Sequence, residues 1–205
     1  MPYKLSYFAI RGFGEYIRLL LIDNGVQFED QKFEAEDWAK AKETFAFGQV
    51  PCLKDGDIEI VQTGAIMRHL ARKHNLAGDT EEEKTYVDMF AEGIRDLRKD
   101  YSKMIYTEYE KKDEFLANIY PLELGRIEKL LKTHKDGKAF VLGDKLTYAD
   151  YFLFEELDIA LILSSTSLDA FPTLKAYHGR FAARPNLKAH LENRVGVPVN
   201  GNGKQ

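Results

Sequence analysis

The sequence predicts an α/β module followed by an all-helical module. Residues 1–76 alternate between strand and helix patterns, whereas apolar residues beyond them recur only with helical spacing. The change falls at Ala77-Gly78-Asp79, which has the composition of a loop. We therefore predict two domains, one over residues 1–76 and the other over residues 82–205.

The first module opens with a strand–helix–strand pattern. Tyr3–Phe8 is rich in β-forming residues and leads to a turn at Arg11-Gly12. Gly14–Asn24 then carries an apolar helical stripe, and Val26–Phe33 returns to a strand pattern. If the two strands are parallel, their connection is expected to cross over in the right-handed sense.

The rest of the first module predicts a helix, a hairpin and a further helix. A mixed helical stretch follows Trp38, and Asp55-Gly56-Asp57 is a hairpin signal between Cys52-Leu53 and Ile58–Val61. Thr63 can cap the helix that comes next. The order βαβ and then αββα predicts a small mixed sheet covered by helices.

The second module is predicted to be a bundle of helices. One helix runs from Phe115 to Leu131, and Pro172 opens the last clear helix. Thr147–Asp150 has the form of a capping box before a helix that reaches Leu163 and is apolar on most faces. The longest helix carries its apolar residues at Tyr86, Phe90, Ile94, Leu97, Tyr101 and Ile105.

Composition excludes several classes of function. The chain has 205 residues, of which 44% are hydrophobic and 30% charged, with a net charge of −4. There is no basic excess with which to hold nucleic acid by counterion release. No apolar run approaches the ~20 residues that span a bilayer, and the N-terminus lacks a secretory signal. We expect a cytoplasmic protein that binds neither nucleic acid nor membranes.

The single cysteine and the histidines give no sign of a metal site. Cys52 alone cannot form an internal disulfide, a CxxC redox pair or a thiolate zinc cage. A buried structural thiol is favoured over a nucleophile, because no histidine is tied to it by sequence. His69 and His74 are spaced i, i+5 and do not share a helical face. We expect no metal.

Two short motifs are candidates for binding a peptide-like ligand. A cis Val50-Pro51 bond would turn the backbone N–H and C=O of Val50 outward, although an isolated proline favours the trans form. Gln62-Thr63 stands at the start of a helix, where unpaired N–H groups and the dipole favour a carboxylate. Simple capping by Thr63 explains the second motif equally well.

Tyr7 is a candidate donor to a thiolate. A free thiol has a pKa of about 8.5, so lowering it by about two requires roughly 2.7 kcal/mol of selective stabilisation of the anion. One charge-assisted hydrogen bond together with a helix dipole is of that order. Core packing is the alternative for a tyrosine in a strand, and composition and spacing do not decide between them.

The chain resembles the glutathione transferases over essentially its whole length, and it is most similar to the pi class of nematodes. Each motif is weak by itself, and their ordered occurrence carries the resemblance. In chain order they are Tyr7-Phe8, Arg11-Gly12, Trp38, Gly48-Gln49-Val50-Pro51, Asp55-Gly56-Asp57, Gln62-Thr63, Arg68-His69-Leu70, Asp96-Leu97-Arg98, Ile105-Tyr106, Gly143-Asp144, Thr147–Asp150, Ala170-Phe171-Pro172, Ala183-Arg184-Pro185 and Pro198–Gln205.

This resemblance implies a thioredoxin-like βαβαββα domain with a cis Pro51, followed by a helical bundle. It also implies that Tyr7 is catalytic and bonds the sulfur of glutathione, a co-substrate, with no further cofactor. The remaining glutathione ligands would be Trp38, Lys42, Gln49, Val50, Pro51, Gln62 and Thr63, together with Asp96 of the partner subunit. The pocket for an apolar electrophile would be lined by Phe8, Ile10, Tyr106 and Gly201.

By the same resemblance the protein is a homodimer, in which Phe47 inserts near Met89 and Phe90 of the partner subunit. Thr147 and Asp150 would form a buried capping box. The chain departs from many vertebrate pi enzymes in carrying Phe13 where they place an arginine, and Arg11–Arg18 is similar to sigma-class members. Conjugation of glutathione to electrophiles is the expected function. The alternatives are a glutathione-dependent isomerase and a non-catalytic carrier of apolar ligands.

Overall fold

A four-stranded mixed sheet forms the centre of the first part of the chain. The computed structural model describes residues 2–204; Met1 and Gln205, the outer ends of the two predicted domains, lie outside the described residues. The strands are β1 (Tyr3–Phe8), β2 (Phe28–Phe33), β3 (Cys52–Asp55) and β4 (Ile58–Val61), in the order β2-β1-β3-β4. β1 is parallel to β2, and the other two pairs are antiparallel. The predicted mixed sheet and hairpin are confirmed.

Three helices accompany this sheet: α1 (Glu15–Asp23), α2 (Ala35–Ala41) and α3 (Thr63–Lys73). The predicted apolar stripe of α1 is fully buried, as are Ile66, Leu70 and Ala71 of α3. β2 begins two residues later than predicted, because the N–H of Val26 closes the end of α1 on the carbonyl of Leu21 at 2.9 Å. Val26 is therefore part of the helix terminus and not of the strand.

The second part of the chain is helical. Its main helices are α4 (Glu81–Thr107), α5 (Tyr120–Leu131), α6 (Tyr148–Leu163) and α7 (Pro172–Ala182). The helix predicted from Phe115 instead has a π-helical turn over Phe115–Ile119 before α5 begins. As predicted, α6 is buried on most faces. No helix in the described part of the chain is both long and apolar enough to cross a membrane.

The described residues pack into two compact units. The first comprises residues 2–73 and 184–203, and the second comprises residues 74–183 and 204. The pattern had assigned residues 184–203, with α8 (Pro185–Asn193), to the second predicted domain. They pack with the first unit because Asp23, at the end of α1, binds two residues at the start of this segment. Its carboxylate accepts Nε of Arg184 at 2.7 Å, and its backbone carbonyl accepts the side-chain amide of Asn186 at 2.7 Å. The division into domains that fold separately stays a prediction.

Asp150 anchors the second unit. Its carboxylate accepts the N–H and the hydroxyl of Thr147, both at 2.8 Å, which forms the predicted capping box of α6. The same side chain accepts the N–H of Val141 and the hydroxyl of Tyr177, each at 2.7 Å. Burial raises the pKa of Asp150 to about 6 although these four donors favour the anion. The folded chain therefore takes up a proton here as the pH falls below about 6.

Asp150→Ala should lower the free energy of unfolding at pH 7 by at least about 3 kcal/mol, because four buried donors would lose their acceptor. Urea denaturation followed by circular dichroism measures the loss. Asp100→Ala is the matched control, because Asp100 is exposed on α4. A similar small change in both variants would contradict the structural role of Asp150.

Candidate active site

The side chain of Tyr7 lies at the end of β1 with its hydroxyl held by the following loop. The residue is only 5% exposed. Its hydroxyl accepts the backbone N–H of Phe13 at 3.0 Å. A phenol that accepts one N–H still carries its own proton as a donor. The backbone of the following loop therefore fixes the position of this phenol at the end of β1.

Two glycines allow the loop to approach the phenol this closely. A Cβ atom at Gly12 would lie 2.5 Å from the Tyr7 hydroxyl, and one at Gly14 would lie 2.6 Å from the ring carbon Cδ1. Gly12 also has a positive φ of 48°, which disfavours any side chain. The turn predicted at Arg11-Gly12 therefore reverses the chain and also contacts the side chain of Tyr7.

The C-terminal segment holds this loop from the other side. The N–H of Arg11 donates to the carbonyl of Pro198 at 2.8 Å, and the N–H of Gly12 donates to the carbonyl of Val199 at 3.0 Å. Val199 is buried, whereas the predicted pocket residue Gly201 is exposed. No local pattern predicts this pairing, because the two segments are far apart in the chain.

The loop before β3 contains the expected cis peptide bond, between Val50 and Pro51. Pro51 is buried and Val50 is partly exposed. Gln49, which precedes Val50, accepts a hydrogen bond on its Oε1 from the side-chain amide of Gln62 at 2.7 Å. Two of the predicted binding motifs therefore meet in the first unit.

Gln62 and Thr63 occupy the start of α3, and Gln62 rather than Thr63 holds the N-cap position. Thr63 is the first residue of the helix and is buried. The carbonyl of Gln62 accepts the N–H of Ile66 at 3.0 Å, so Gln62 holds the cap position that we had given to Thr63. Gln62 has a φ of 72°, an uncommon conformation for a residue other than glycine.

Trp38 is fixed by other aromatic residues. Its ring lies 5.4 Å from that of Phe8 and 5.8 Å from those of Phe33 and Phe45, measured between centroids. The indole is therefore held against the end of β1, next to the residue that follows Tyr7. Lys42 is exposed in the turn after α2.

The remaining predicted residues belong to both units. Phe8 and Ile10 are partly exposed in the first unit. Asp96 and Tyr106 are exposed on α4 of the second unit. Among the described residues, no group of three or more His, Cys, Asp or Glu side chains is arranged to hold a metal ion.

Cys52 is a buried free thiol, as its sequence context favoured. Burial, with a smaller contribution from the charge of Glu59, raises the pKa of its thiol to about 11. The thiol therefore stays protonated at neutral pH and is a poor nucleophile.

A buried charge network next to the Tyr7 loop was not predicted. Glu15 Oε1 lies 2.7 Å from Nε2 of His190 and 2.9 Å from Nη1 of Arg194, while Glu15 Oε2 lies 3.4 Å from Arg18. Burial would raise the pKa of Glu15, but the bond from His190 and the charges of Arg194 and Arg18 outweigh it and lower that pKa to about 2. No sequence signal relates positions 15 and 190.

The chain is similar to known proteins over its whole length. Two family models match, described as the glutathione S-transferase N-terminal domain over residues 3–72 and the C-terminal domain over residues 95–194. Glutathione S-transferase 2 of Onchocerca volvulus and glutathione S-transferase P of Caenorhabditis elegans are each 55% identical over 208 residues, covering 100% of both chains. A solved pi-class glutathione S-transferase of Onchocerca volvulus is 54% identical, with a TM-score of 0.98 and full coverage of both chains.

The charge network yields a prediction for the dependence of stability on pH. Because the folded pKa of Glu15 lies below its ordinary value of 4.5, its contribution is present above pH 4.5 and is lost towards pH 2. Glu15→Gln should lower the free energy of unfolding by roughly 3 kcal/mol at pH 7. Denaturant titrations of both forms from pH 7 downward measure the difference, which should narrow below pH 4.5.

Glu36→Gln, at an exposed position on α2, is the matched control and should leave stability nearly unchanged. A difference between the parent and Glu15→Gln that does not vary with pH would contradict the ionised state of Glu15.

Proposed function

Because the chain belongs to the pi class of the glutathione S-transferases, we propose that Tyr7 holds the thiol of bound glutathione as an anion, which then attacks apolar electrophiles. The enzyme transfers glutathione: the sulfur forms a bond to an electrophilic carbon, and the leaving group departs or the displaced electron pair takes up a proton. The observation that carries the role of Tyr7 is its hydroxyl, which accepts the N–H of Phe13 and keeps a proton to donate.

Two local effects favour an anion beside this hydroxyl. Accepting an N–H polarises the phenol and strengthens it as a donor. α1 begins two residues after Phe13, so the positive end of its dipole adds to the stabilisation of a negative charge held there. Together these are of the order of the roughly 2.7 kcal/mol that lowers a thiol pKa by about two.

The tripeptide would lie along the edge of the first unit. We assign its cysteinyl part to the backbone of Val50, beside the cis Pro51, and its γ-glutamyl carboxylate to Gln62 and Thr63 at the start of α3. The bond between Gln49 and Gln62 supports this assignment, because it joins the two motifs that would bind adjacent parts of one ligand. Free N–H groups in the first turn of α3 suit a carboxylate.

The other end of glutathione is assigned to Trp38 and Lys42, with Gln49 nearby. Trp38 is held rigidly by its aromatic neighbours, so its indole N–H can keep one direction. Lys42 is an exposed cation that suits the glycine carboxylate. Asp96 of the partner subunit would approach the amino group of glutathione. Glutathione is consumed as a co-substrate, and we propose no further cofactor.

For the electrophile we propose the pocket residues Phe8, Ile10, Tyr106 and Gly201. Phe8 and Ile10 would offer an apolar surface, Tyr106 would add one phenol, and Gly201 would leave room for the substrate. Apolar pockets separate substrates that differ by one methylene only weakly, which is consistent with a broad range of electrophiles.

We further propose that the enzyme is a homodimer held by Phe47. The side chain is 80% exposed, and the residue adopts a φ of 60°. An aromatic residue in this conformation costs of order 1–3 kcal/mol and points to a function that the strain serves. An exposed phenyl ring in a strained loop suits insertion into another molecule.

A cavity in the second unit would receive this ring from the partner. It has a volume of about 190 Å³ and lies between α4 and α5. Its lining is Phe90, Gly93, Glu123, Arg126, Ile127 and Leu130. Burial of a phenylalanine is worth roughly 2–3 kcal/mol, and a two-fold symmetric dimer would contain two such contacts.

Tyr7→Phe tests the proposed mechanism. Removing the hydroxyl should lower the rate of conjugation of a standard aryl halide at neutral pH about 10- to 100-fold, because the thiol would regain much of its ordinary pKa. The measurement is steady-state kinetics across a pH series, with glutathione affinity determined separately by calorimetry. The affinity should stay close to that of the parent.

Tyr3→Phe is the matched control, because Tyr3 is a buried tyrosine on the same strand. It should retain nearly the full rate. Full activity of Tyr7→Phe at neutral pH would contradict the mechanism. Product analysis separates the alternatives, since an isomerase returns glutathione unchanged and a carrier gives no product.

Phe47→Ala should convert the dimer to monomer at micromolar concentration, because each interface loses its aromatic insertion. Sedimentation velocity measures the change. Ile58→Ala, at another exposed apolar residue of the first unit, should leave the assembly intact. A Phe47→Ala dimer as stable as the parent would show that this residue does not hold the subunits together.

A further inference from the structure

The guanidinium of Arg18 joins three segments of the first unit. Arg18 lies on α1 and is buried. Its Nη1 donates to the carbonyl of Ile10 at 2.9 Å, and its Nη2 donates to the carbonyl of Phe8 at 3.4 Å. Its Nε donates to Asp30 on β2 at 3.0 Å. One planar group thus ties α1 to the end of β1 and to the neighbouring strand, a task that requires several fixed donors.

The same guanidinium lies beside Tyr7. Its central carbon is 5.9 Å from the centroid of the Tyr7 ring, near the outer limit of a cation–π contact. Phe8, whose carbonyl Arg18 holds, directly follows Tyr7 in β1. The far end of the phenol is fixed by the N–H of Phe13. Tyr7 is therefore constrained at both ends, by Arg18 near its backbone and by Phe13 at its oxygen.

Two carboxylates face the guanidinium of Arg18, Asp30 at 3.0 Å and Glu15 at 3.4 Å. Asp30 also lies 3.8 Å from Lys32, and Glu15 also binds Arg194 at 2.9 Å, so Arg18 shares both carboxylates with other cations. The charged or titratable groups packed around it are Glu15, Asp30, Lys32, His190 and Arg194, which also line one cavity of about 190 Å³. These carboxylates offset part of the charge of Arg18, whereas its hydrogen bonds to the carbonyls of Phe8 and Ile10 act directly on the segment that follows Tyr7.

We infer that Arg18 is a positioning residue that holds Phe8–Ile10 against α1 and thereby fixes the Tyr7 hydroxyl where the sulfur of glutathione binds. The inference rests on the proposed function of Tyr7. It extends that function in one respect, because Phe8 and Ile10 are also proposed to line the electrophile pocket. A single buried side chain would then align the phenol and one wall of the pocket.

Arg18→Lys is the first test. Lysine keeps the charge but cannot reach both carbonyls and Asp30 from one planar group. The apparent pKa of the bound glutathione thiol, read from the ultraviolet absorbance of the thiolate, should rise by about 0.5–1. Below that pKa the rate of conjugation should fall about three- to ten-fold. The KM for glutathione should change little, because Arg18 is not proposed to touch the tripeptide.

Arg194→Lys is the matched control. Arg194 is also buried and also binds Glu15, at 2.9 Å, but it follows α8 in the chain, whereas Arg18 lies on α1 and holds the carbonyls of Phe8 and Ile10. Both variants should lose stability, and only Arg18→Lys should raise the thiol pKa. An unchanged thiol pKa in Arg18→Lys, with stability lost as in the control, would reduce Arg18 to a structural residue and overturn the inference.

Asp30→Asn is the second variant, and it remains informative if Arg18→Lys does not fold. It weakens the anchor of Arg18 on β2 and removes a negative charge. If Arg18 acts by positioning Tyr7, the weaker anchor should raise the pKa of the bound thiol. If Arg18 acts through its electric field, loss of the negative charge of Asp30 should lower that pKa, and this result would overturn the inference.

Tyr7→Phe separates failure of this inference from failure of the proposed function. If Tyr7→Phe does not change the thiol pKa, the role of Tyr7 itself is wrong. If Tyr7→Phe raises it and Arg18→Lys does not, only the inference fails. In the double variant, Arg18→Lys should add no further rise to that of Tyr7→Phe, because it acts through the phenol.

Discussion

The hydrogen bond from the N–H of Phe13 to the hydroxyl of Tyr7 is the constraint on which the site depends. It requires the chain to turn back on the end of β1 within contact distance of the phenol. Gly12 and Gly14 permit that approach, since a Cβ at either position would overlap with Tyr7. The C-terminal segment then pairs with the outer side of the turn. The proposed donor oxygen is thus positioned by backbone groups, which are more rigid than side chains on a surface.

The buried charges around α1 explain why a C-terminal segment belongs to the first unit. Glu15 is shared between Arg18, His190 and Arg194, and Asp23 binds Arg184. Removing one partner from such a network leaves a buried charge uncompensated, so the network favours a single arrangement of α1 and α8. Because α1 follows the Tyr7 loop directly, fixing the helix also fixes the loop. The proposed chemistry therefore depends on the same few side chains that stabilise the first unit.

Local patterns predicted the parts of the fold that local physics determines. The run of β-forming residues in β1, the Asp55-Gly56-Asp57 hairpin and the Thr147–Asp150 capping box each depend on residues close together in sequence. β2 was predicted to begin too early, because Val26 has strand propensity but its N–H is taken by α1. The network of Glu15 and His190 could not be predicted, since its members are distant in sequence and each alone resembles a surface charge. For Tyr7, spacing left core packing and chemistry open, and only the resemblance to a family favoured chemistry.

The most direct measurement of the central claim varies the strength of the phenol while keeping its place. Tyr7 would be replaced site-specifically by fluorinated tyrosines of progressively lower phenol pKa, and the pKa of the bound glutathione thiol would be read from thiolate absorbance. If the hydroxyl of Tyr7 donates to the sulfur, a more acidic phenol is a stronger donor, and the thiol pKa should fall in step with it. A thiol pKa that is the same throughout the series would contradict the account.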